Sequence, residues 1–212
     1  MQRAGKPRLS VKVFYDYICP FCYVGSARLM RLREDFDLQV SWCSFEIHPD
    51  TPPEGLPISK LGYAPAQWQR MMENLGKMVR EEGLDFADRT FTTNSHKALL
   101  LAEASKEEGD EIFYVLHDRL FKAYFSEQQN IGDTKVLKAL ANQVGLSAKT
   151  VERAWNDPRY EEILRKDLNC ASQMGINCVP TFIIGNNTIE GAVPAAVLLD
   201  AARENRENAR LQ

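Results

Sequence analysis

Short apolar runs rich in β-branched and aromatic residues occur in three places along this chain, and most of what separates them repeats at helical spacing. Residues 11–17 (Val-Lys-Val-Phe-Tyr-Asp-Tyr) read as a buried strand, and Leu38–Ile47 reads as a second. Between them Val24, Ala27, Leu29, Met30, Leu32 and Phe36 form an apolar stripe behind Pro20, a residue suited to a first helical turn. A strand, a helix and a strand of these lengths predict a right-handed βαβ crossover with parallel strands. The third run, Val179–Ile184, is followed by Gly185-Asn186-Asn187 and Thr188–Glu190, a hairpin signal, and then by a last helix over Pro194–Glu204.

The middle of the chain has a different texture. Pro49, Pro52, Pro53, Gly55, Pro57 and Gly62 make residues 48–64 a long loop, which in a compact domain is usually functional or mobile. From residue 65 to residue 175 almost everything reads helical, over Ala66–Glu82, Ser95–Lys106, Asp110–Phe125, Asp133–Val144, Ser147–Trp155 and Pro158–Met174. Asp133 and Ser147 are N-cap residues, and Gly145 and Gly175 are stops. The apolar stripes of these helices read as surfaces that pack on one another. The expected organisation is an α/β chain with a tail over residues 1–10, a βαβ unit and loop over 11–64, a helical insertion over 65–175, a ββα unit over 176–205 and a polar tail over 206–212. Neither β half has enough apolar surface to stand alone, so both belong to one sheet.

Composition narrows the classes of function. With 212 residues, 44% of them hydrophobic and 26% charged, the chain can bury a core without disulfide staples. A formal net charge of -3 and the lack of any Lys/Arg block give no electrostatic case for a nucleic-acid partner. No apolar run is long enough to span a bilayer, so no membrane role is expected. The first ten residues are basic but lack the apolar centre of a signal peptide, and five cysteines, an odd number, fit poorly with a secreted disulfide scaffold. The expected location is cytoplasmic.

The chemistry gathers at Cys19-Pro20-Phe21-Cys22, where the first strand runs into the first helix. A helix N-terminus offers unpaired backbone N–H groups and partial positive charge, so a cysteine there is disposed to be a thiolate. In a reducing compartment such a pair reads as a redox motif, with Cys19 as the attacking thiolate and Cys22, one turn into the helix, as the resolving thiol. Zinc is the rival reading, but it wants four ligands, and Cys43, Cys170, Cys178, His48, His96 and His117 are scattered singly; no metal is expected. Pro180, with Val179 before it, opens the strand of the C-terminal half. A cis peptide at that point would leave the adjacent backbone free to pair with an extended substrate segment.

The stretches Phe14-Tyr15-Asp16-Tyr17-Ile18-Cys19-Pro20-Phe21-Cys22-Tyr23-Val24-Gly25 and Gly175-Ile176-Asn177-Cys178-Val179-Pro180-Thr181-Phe182 resemble the two signatures of the DsbA-like thioredoxin-fold superfamily, with the FrnE-like branch the nearest match. Thr93-Asn94-Ser95-His96-Lys97-Ala98 is similar to that branch's Asn-Thr-x-x-Ala-His stretch at the start of an insertion helix. The resemblance spans nearly the whole chain. It implies a thioredoxin fold, βαβ then ββα, interrupted by a large all-helical insertion. It also implies disulfide oxidoreductase or isomerase activity, with Cys19 and Cys22 as the catalytic pair and Pro180 as the cis-proline. No bound cofactor is implied beyond the redox-active disulfide, with glutathione a candidate reductant. The partners would be protein or small-molecule thiols and disulfides, and the protein a monomer or homodimer. One departure bears on redox direction: periplasmic DsbA-type proteins commonly carry histidine where this chain has Phe21, and Phe21 supplies neither a ring N–H nor a charge. Kappa-class glutathione transferases and chromene-carboxylate isomerases, related by fold, carry serine where this chain has Cys19.

The remaining candidates have competing readings. Asp16, three residues before Cys19, is either a proton-exchange partner of the pair or a turn residue. His48 closes the second strand, on the side where a parallel sheet places its ligands, or is an exposed loop residue. His96 and His117 read as packing or surface residues, and Cys43 as a small buried hydrophobe. By family resemblance Cys170 and Cys178 are a candidate second redox pair, provided that the loop between them folds back; otherwise they are two free thiols. Two functions outside the first class remain open: a biosynthetic accessory or binding protein that holds a small organic substrate beside the dithiol, and a glutathione-dependent transferase.

Overall fold

The computed structural model describes residues 5–210. Strand β1 (Arg8–Tyr15) is central, pairing in parallel with β2 (Asp37–Ser44) and antiparallel with β5 (Thr181–Ile184), which in turn pairs antiparallel with β6 (Asn187–Glu190). The order across the sheet is therefore β2-β1-β5-β6. Helix α1 (Pro20–Met30) makes the β1-to-β2 crossover, and α8 (Ala195–Arg210) closes the C-terminal half. Together the strands and these helices form the thioredoxin fold.

One face of β1 is apolar along its whole length, and the other is apolar only at its end, where Phe14 follows Arg8, Ser10 and Lys12. Leu9, Val11, Val13 and Tyr15 join Leu29 of α1, Leu198 of α8 and Phe182 of β5 in the main core. Phe14 points the other way, into a smaller cluster with Cys43, Ala171 and Ile176. That opposite face is covered by α7 (Pro158–Gln173), the last helix of the insertion.

The insertion begins with α2 (Pro65–Glu82) and continues through α3 (His96–Ser105), α4 (Asp110–Phe125), α5 (Thr134–Gln143), α6 (Ala148–Asn156) and α7. Asp133 accepts from the Lys135 N–H and Ser147 from the Thr150 N–H, as their positions in the sequence predict, and Asp157 caps α7 in the same way. The helices are not continuous, however. After Gly83, in the left-handed region at φ 63°, no helix forms through residues 84–95, and this segment carries the short strand β4 (Phe91–Thr92). This strand pairs with β3 (Leu56–Pro57), a piece of regular structure inside the expected loop 48–64. Gly55 makes that approach feasible: its φ is +88°, and a Cβ there would lie 2.6 Å from the Thr92 carbonyl oxygen.

Strand and helix ends also move. β1 starts at Arg8, inside the expected tail, because Arg8 pairs with Asp37; it stops at Tyr15 because the Asp16 side chain turns the chain. β2 stops at Ser44, not Ile47: the Phe45 N–H still reaches the Tyr15 carbonyl, but the Ile47 N–H goes to the Asp16 carboxylate. β5 starts at Thr181, after Pro180, which has no N–H to give a ladder. The polar end of the chain extends α8 to Arg210, beyond the expected stop at Glu204. Residues 1–4 and 211–212 of the two expected tails lie outside the described residues.

Two charged clusters are among the polar contacts that hold the insertion to the sheet domain. Arg28 of α1, buried, donates to Glu82 and Glu81 of α2 at 2.8 Å each and to the Ala192 carbonyl at 2.7 Å. His96, the first residue of α3, lies 2.8 Å from Glu46 after β2 and 2.9 Å from Glu161 of α7. Glu46 first, and Glu161 after it, raise the histidine from 6.5 to about 9. A raised folded-state value means that the contribution is complete below about pH 6.5 and is lost as pH rises through about 9. The urea midpoint of the wild type should therefore fall across that window relative to His96→Gln, whose own profile lacks the drop; parallel profiles would refute the assignment.

Candidate functional site

The N-terminal end of α1 is built by a turn and a proline. The Cys19 N–H donates to the Asp16 carbonyl at 3.2 Å, Cys19 takes the N-cap position with extended backbone, and Pro20 occupies the first turn, where no N–H is needed. The Cys19 carbonyl receives the Cys22 and Tyr23 N–H groups at 3.0 and 3.4 Å. Both cysteines are free thiols. Both are buried, so the exposed first cysteine that the redox motif leads one to expect is not seen: Cys19, 5% exposed, lines the wall of a cleft, and Cys22, 2% exposed, lies behind it. Burial first, and then the neighbouring Cys19, push the Cys22 thiol well above its ordinary value.

Across the cleft the Val179–Pro180 peptide is cis, and the Val179 carbonyl oxygen lies 3.5 Å from the Cys19 Sγ. Pro180 is buried, and its carbonyl accepts from the Gly191 N–H at 2.7 Å, which ties β5 to the end of β6. Gly25 allows this meeting. A Cβ at that position of α1 would sit 2.9 Å from Pro180 Cγ and 3.1 Å from Phe182 Cζ.

Asp16 is fully buried. Its carboxylate accepts from the Ile18 N–H at 3.2 Å and the Ile47 N–H at 2.8 Å, with the Ser95 side chain alongside. Desolvation outweighs these contacts and raises its pKa from 3.8 to about 6, and its charge in turn acts on Cys22. Asp16 is thus a turn residue and a titratable neighbour of the dithiol at once.

The cleft has a volume of about 320 Å³. Phe21 and Ile18 flank Cys19, Ile47 and His48 come from the stretch after β2, Trp68, Met71 and Met72 from α2, and Arg89 and Thr92 from the segment between α2 and α3. His48 therefore belongs to the cleft, and its partial burial lowers its pKa. Cys178 and Val179 form the opposite lip. The Cys178 thiol, raised by burial, lies 3.8 Å from the Thr181 hydroxyl. Cys170 has other neighbours, the Lys12 ammonium at 3.7 Å and Met174 Sδ at 3.8 Å, on the α7 face of the sheet. The two are free thiols with separate partners. Cys43 is buried, with its thiol pushed up to about 12, first by desolvation and then by Asp167.

Two features reach beyond the sequence reading, the first a residue already read as a packing or surface histidine. His117 of α4 sits among Tyr15, Tyr17, Trp42 and Phe121, with the Tyr17 hydroxyl at 2.9 Å and the Ser26 hydroxyl at 3.1 Å; burial lowers it to about 3, so it is neutral. It links the insertion to α1 one turn beyond Cys22. Arg89 is the other, and nothing in the local sequence Asp88-Arg89-Thr90 marks it. Among the described residues no group of three His, Cys, Asp or Glu side chains is placed to hold a metal ion, and no helix is long and apolar enough to cross a membrane.

The stretch from residue 10 to residue 203 matches the DSBA-like thioredoxin domain family. The chain is 32% identical over 201 residues to the uncharacterized protein YwbO of Bacillus subtilis, covering 93% of this chain and 97% of that one. Among solved structures, a probable DsbA oxidoreductase of Streptomyces coelicolor superposes with a TM-score of 0.83 at 28% identity, covering 94% of this chain and 91% of that chain. The cytosolic disulfide reductase DsbM of Pseudomonas aeruginosa has the same fold, with a TM-score of 0.65 at 18% identity over 96% of this chain and 98% of that chain.

Gly25→Ala tests the close approach of α1 to Pro180. Helix propensity alone favours alanine by about 1 kcal/mol, whereas overpacking against Pro180 and Phe182 costs about 1–3 kcal/mol. The variant should be destabilised in chemical denaturation and should react more slowly at Cys19. A gain in stability would show that the two elements part without cost.

Proposed function

The chain belongs to the DSBA-like thioredoxin domain family, and from that premise we propose that it is a thiol–disulfide oxidoreductase of FrnE-like type that turns over through a Cys19–Cys22 couple. The observation that carries this reading is the pairing of an N-cap cysteine, facing a cleft and 3.5 Å from the Val179 carbonyl, with a second cysteine buried one turn behind it. Reduction of a substrate disulfide begins when the Cys19 thiolate attacks one sulfur, forming a mixed disulfide and releasing the other half as a thiolate. Cys22 then loses its proton and attacks Cys19 Sγ. The second half leaves as a thiolate, and the two electrons of the dithiol have passed to substrate as the Cys19–Cys22 disulfide forms. The same steps in reverse oxidise a substrate dithiol, and a stalled mixed disulfide that rearranges gives isomerisation.

Cys22 needs a base, since its burial disfavours the thiolate. Asp16 is the candidate: buried, raised to about 6 and electrostatically linked to Cys22. The couple requires no bound cofactor, and glutathione is the reductant we propose for regenerating the dithiol. Protein and small-molecule disulfides are both substrates in this reading. The cytosolic character of the Pseudomonas reductase supports a cytoplasmic location. Retention of a small organic substrate is a second reading, favoured by the apolar walls of the cleft.

Insulin reduction driven by dithiothreitol tests the proposal. Cys19→Ser should be inactive and Cys22→Ser should accumulate mixed disulfides visible by mass spectrometry; turnover surviving in Cys19→Ser would sink the mechanism. Asp16→Asn separates the proton step from the fold. In the wild type, resolution of a preformed mixed disulfide should accelerate as pH rises through about 6, where Asp16 becomes the base form. In the variant that limb should vanish and the rate at neutral pH should fall on the order of a hundredfold. An unchanged profile would assign the base role elsewhere.

A further inference from the structure

The cleft contains one cation with no counter-charge. Arg89 lies over the rings of Tyr124 and Phe125, 4.4 and 4.6 Å from their centroids, and lines the same cleft as Cys19. Its Nε–H is buried without a hydrogen-bond partner, as is the Tyr124 hydroxyl. The charged or titratable groups that act on it are Tyr124 and Cys19, with no carboxylate among them. Arg28 provides the internal comparison: fully buried where Arg89 is half-buried, it is met by two carboxylates and a carbonyl. A guanidinium withdrawn from water is costly unless something satisfies it, and aromatic stacking offsets only part of that cost. The fold completes the buried arginine and leaves the half-buried one open beside Cys19.

The rest of the wall is apolar, with Ile47, Trp68, Met71 and Met72 facing the same space. A volume of about 320 Å³ suits a small molecule and is at the low end of ligand pockets. A guanidinium fork selects planar oxyanions, carboxylates above all, in a way that a point charge does not.

We propose that the cleft is a subsite for small thiols and disulfides that carry a carboxylate on an apolar body, with Arg89 as the carboxylate anchor beside Cys19. The proposal rests on the Cys19–Cys22 redox reading and narrows its substrate class. In the reaction, the anchored disulfide receives the Cys19 thiolate at the near sulfur and expels its far half as a thiolate. Cys22 then displaces the carboxylated half, also as a thiolate, and leaves the protein disulfide behind.

The test uses the reduced full-length protein and two aromatic disulfides of similar size, dithiobis-nitrobenzoate with one carboxylate per ring and the uncharged dipyridyl disulfide. The quantity read is the ratio of their second-order rate constants, from stopped-flow release of the aryl thiolate after subtracting the Cys19→Ser trace, which removes the contribution of the other thiols. Arg89→Gln should lower the ratio of carboxylated to uncharged reactivity about tenfold, the effect of losing one charge-assisted contact. Arg89→Lys, which keeps the charge without the fork, should fall between. An unchanged ratio in Arg89→Gln overturns the proposal, whether both rates hold or both fall together; in the second case the guanidinium serves Cys19 or the fold and not the substrate. The underlying redox reading fails differently. There the wild type releases no more thiolate from either disulfide than Cys19→Ser does.

Discussion

A buried carboxylate sets the geometry at the head of α1. Asp16 has no solvent to turn to, so its oxygens are satisfied by whatever the fold brings to them: the Ile18 N–H within its own turn and the Ile47 N–H from the stretch after β2. These two contacts end β1, end β2 and fix the turn from which Cys19 enters the helix. The Ser95 side chain, at the start of α3, lies against the same group, so the insertion meets the sheet at this point too. A charge held this way is only partly compensated, and its raised pKa is the sign of it. The group that organises the turn is therefore also a titratable neighbour of Cys22.

The insertion is part of the architecture of the cleft beside Cys19. α2 is clamped to α1 by the buried Arg28 with Glu81 and Glu82, and α4 reaches the same helix through His117 and Ser26. α3 and α7 meet through His96 and Glu161, while α7 seals the face of the sheet that Phe14 leaves open. Every wall of the cleft opposite Cys178 and Val179 comes either from the dithiol turn, from the stretch after β2, or from the insertion.

This arrangement changes the meaning of Phe21. As a motif residue it removes a charge from beside the first cysteine. In three dimensions it is one apolar wall of a cleft whose positive charge is supplied by Arg89, from the segment between α2 and β4. The electrostatics of the dithiol are divided between a helix N-terminus near in sequence and a guanidinium brought in from far away.

The sequence alone determined the features that depend on neighbours a few residues apart. The strand-to-helix junction, the proline in its first turn, the caps at Asp133 and Ser147 and the apolar stripes all follow from local hydrogen bonding and from periods of 2 and 3.6 residues. The position of the dithiol at a helix end was legible for the same reason, and the cis peptide at Val179–Pro180 through the family resemblance. The non-helical segment 84–95 was not legible, because β3 and β4 are two residues each and exist only by pairing across the insertion. For Cys170 and Cys178 the sequence left two readings open, a second pair or two free thiols; they are free thiols, the first beside Lys12 and the second at the cleft. Only the tertiary structure decided the contacts that give the site its character: Cys19 against Val179, 160 positions apart, His117 against Ser26, 91 apart, and Arg89 over Tyr124. Burial and charge at a point in space are sums over whatever the whole chain brings there, and no local pattern encodes such a sum.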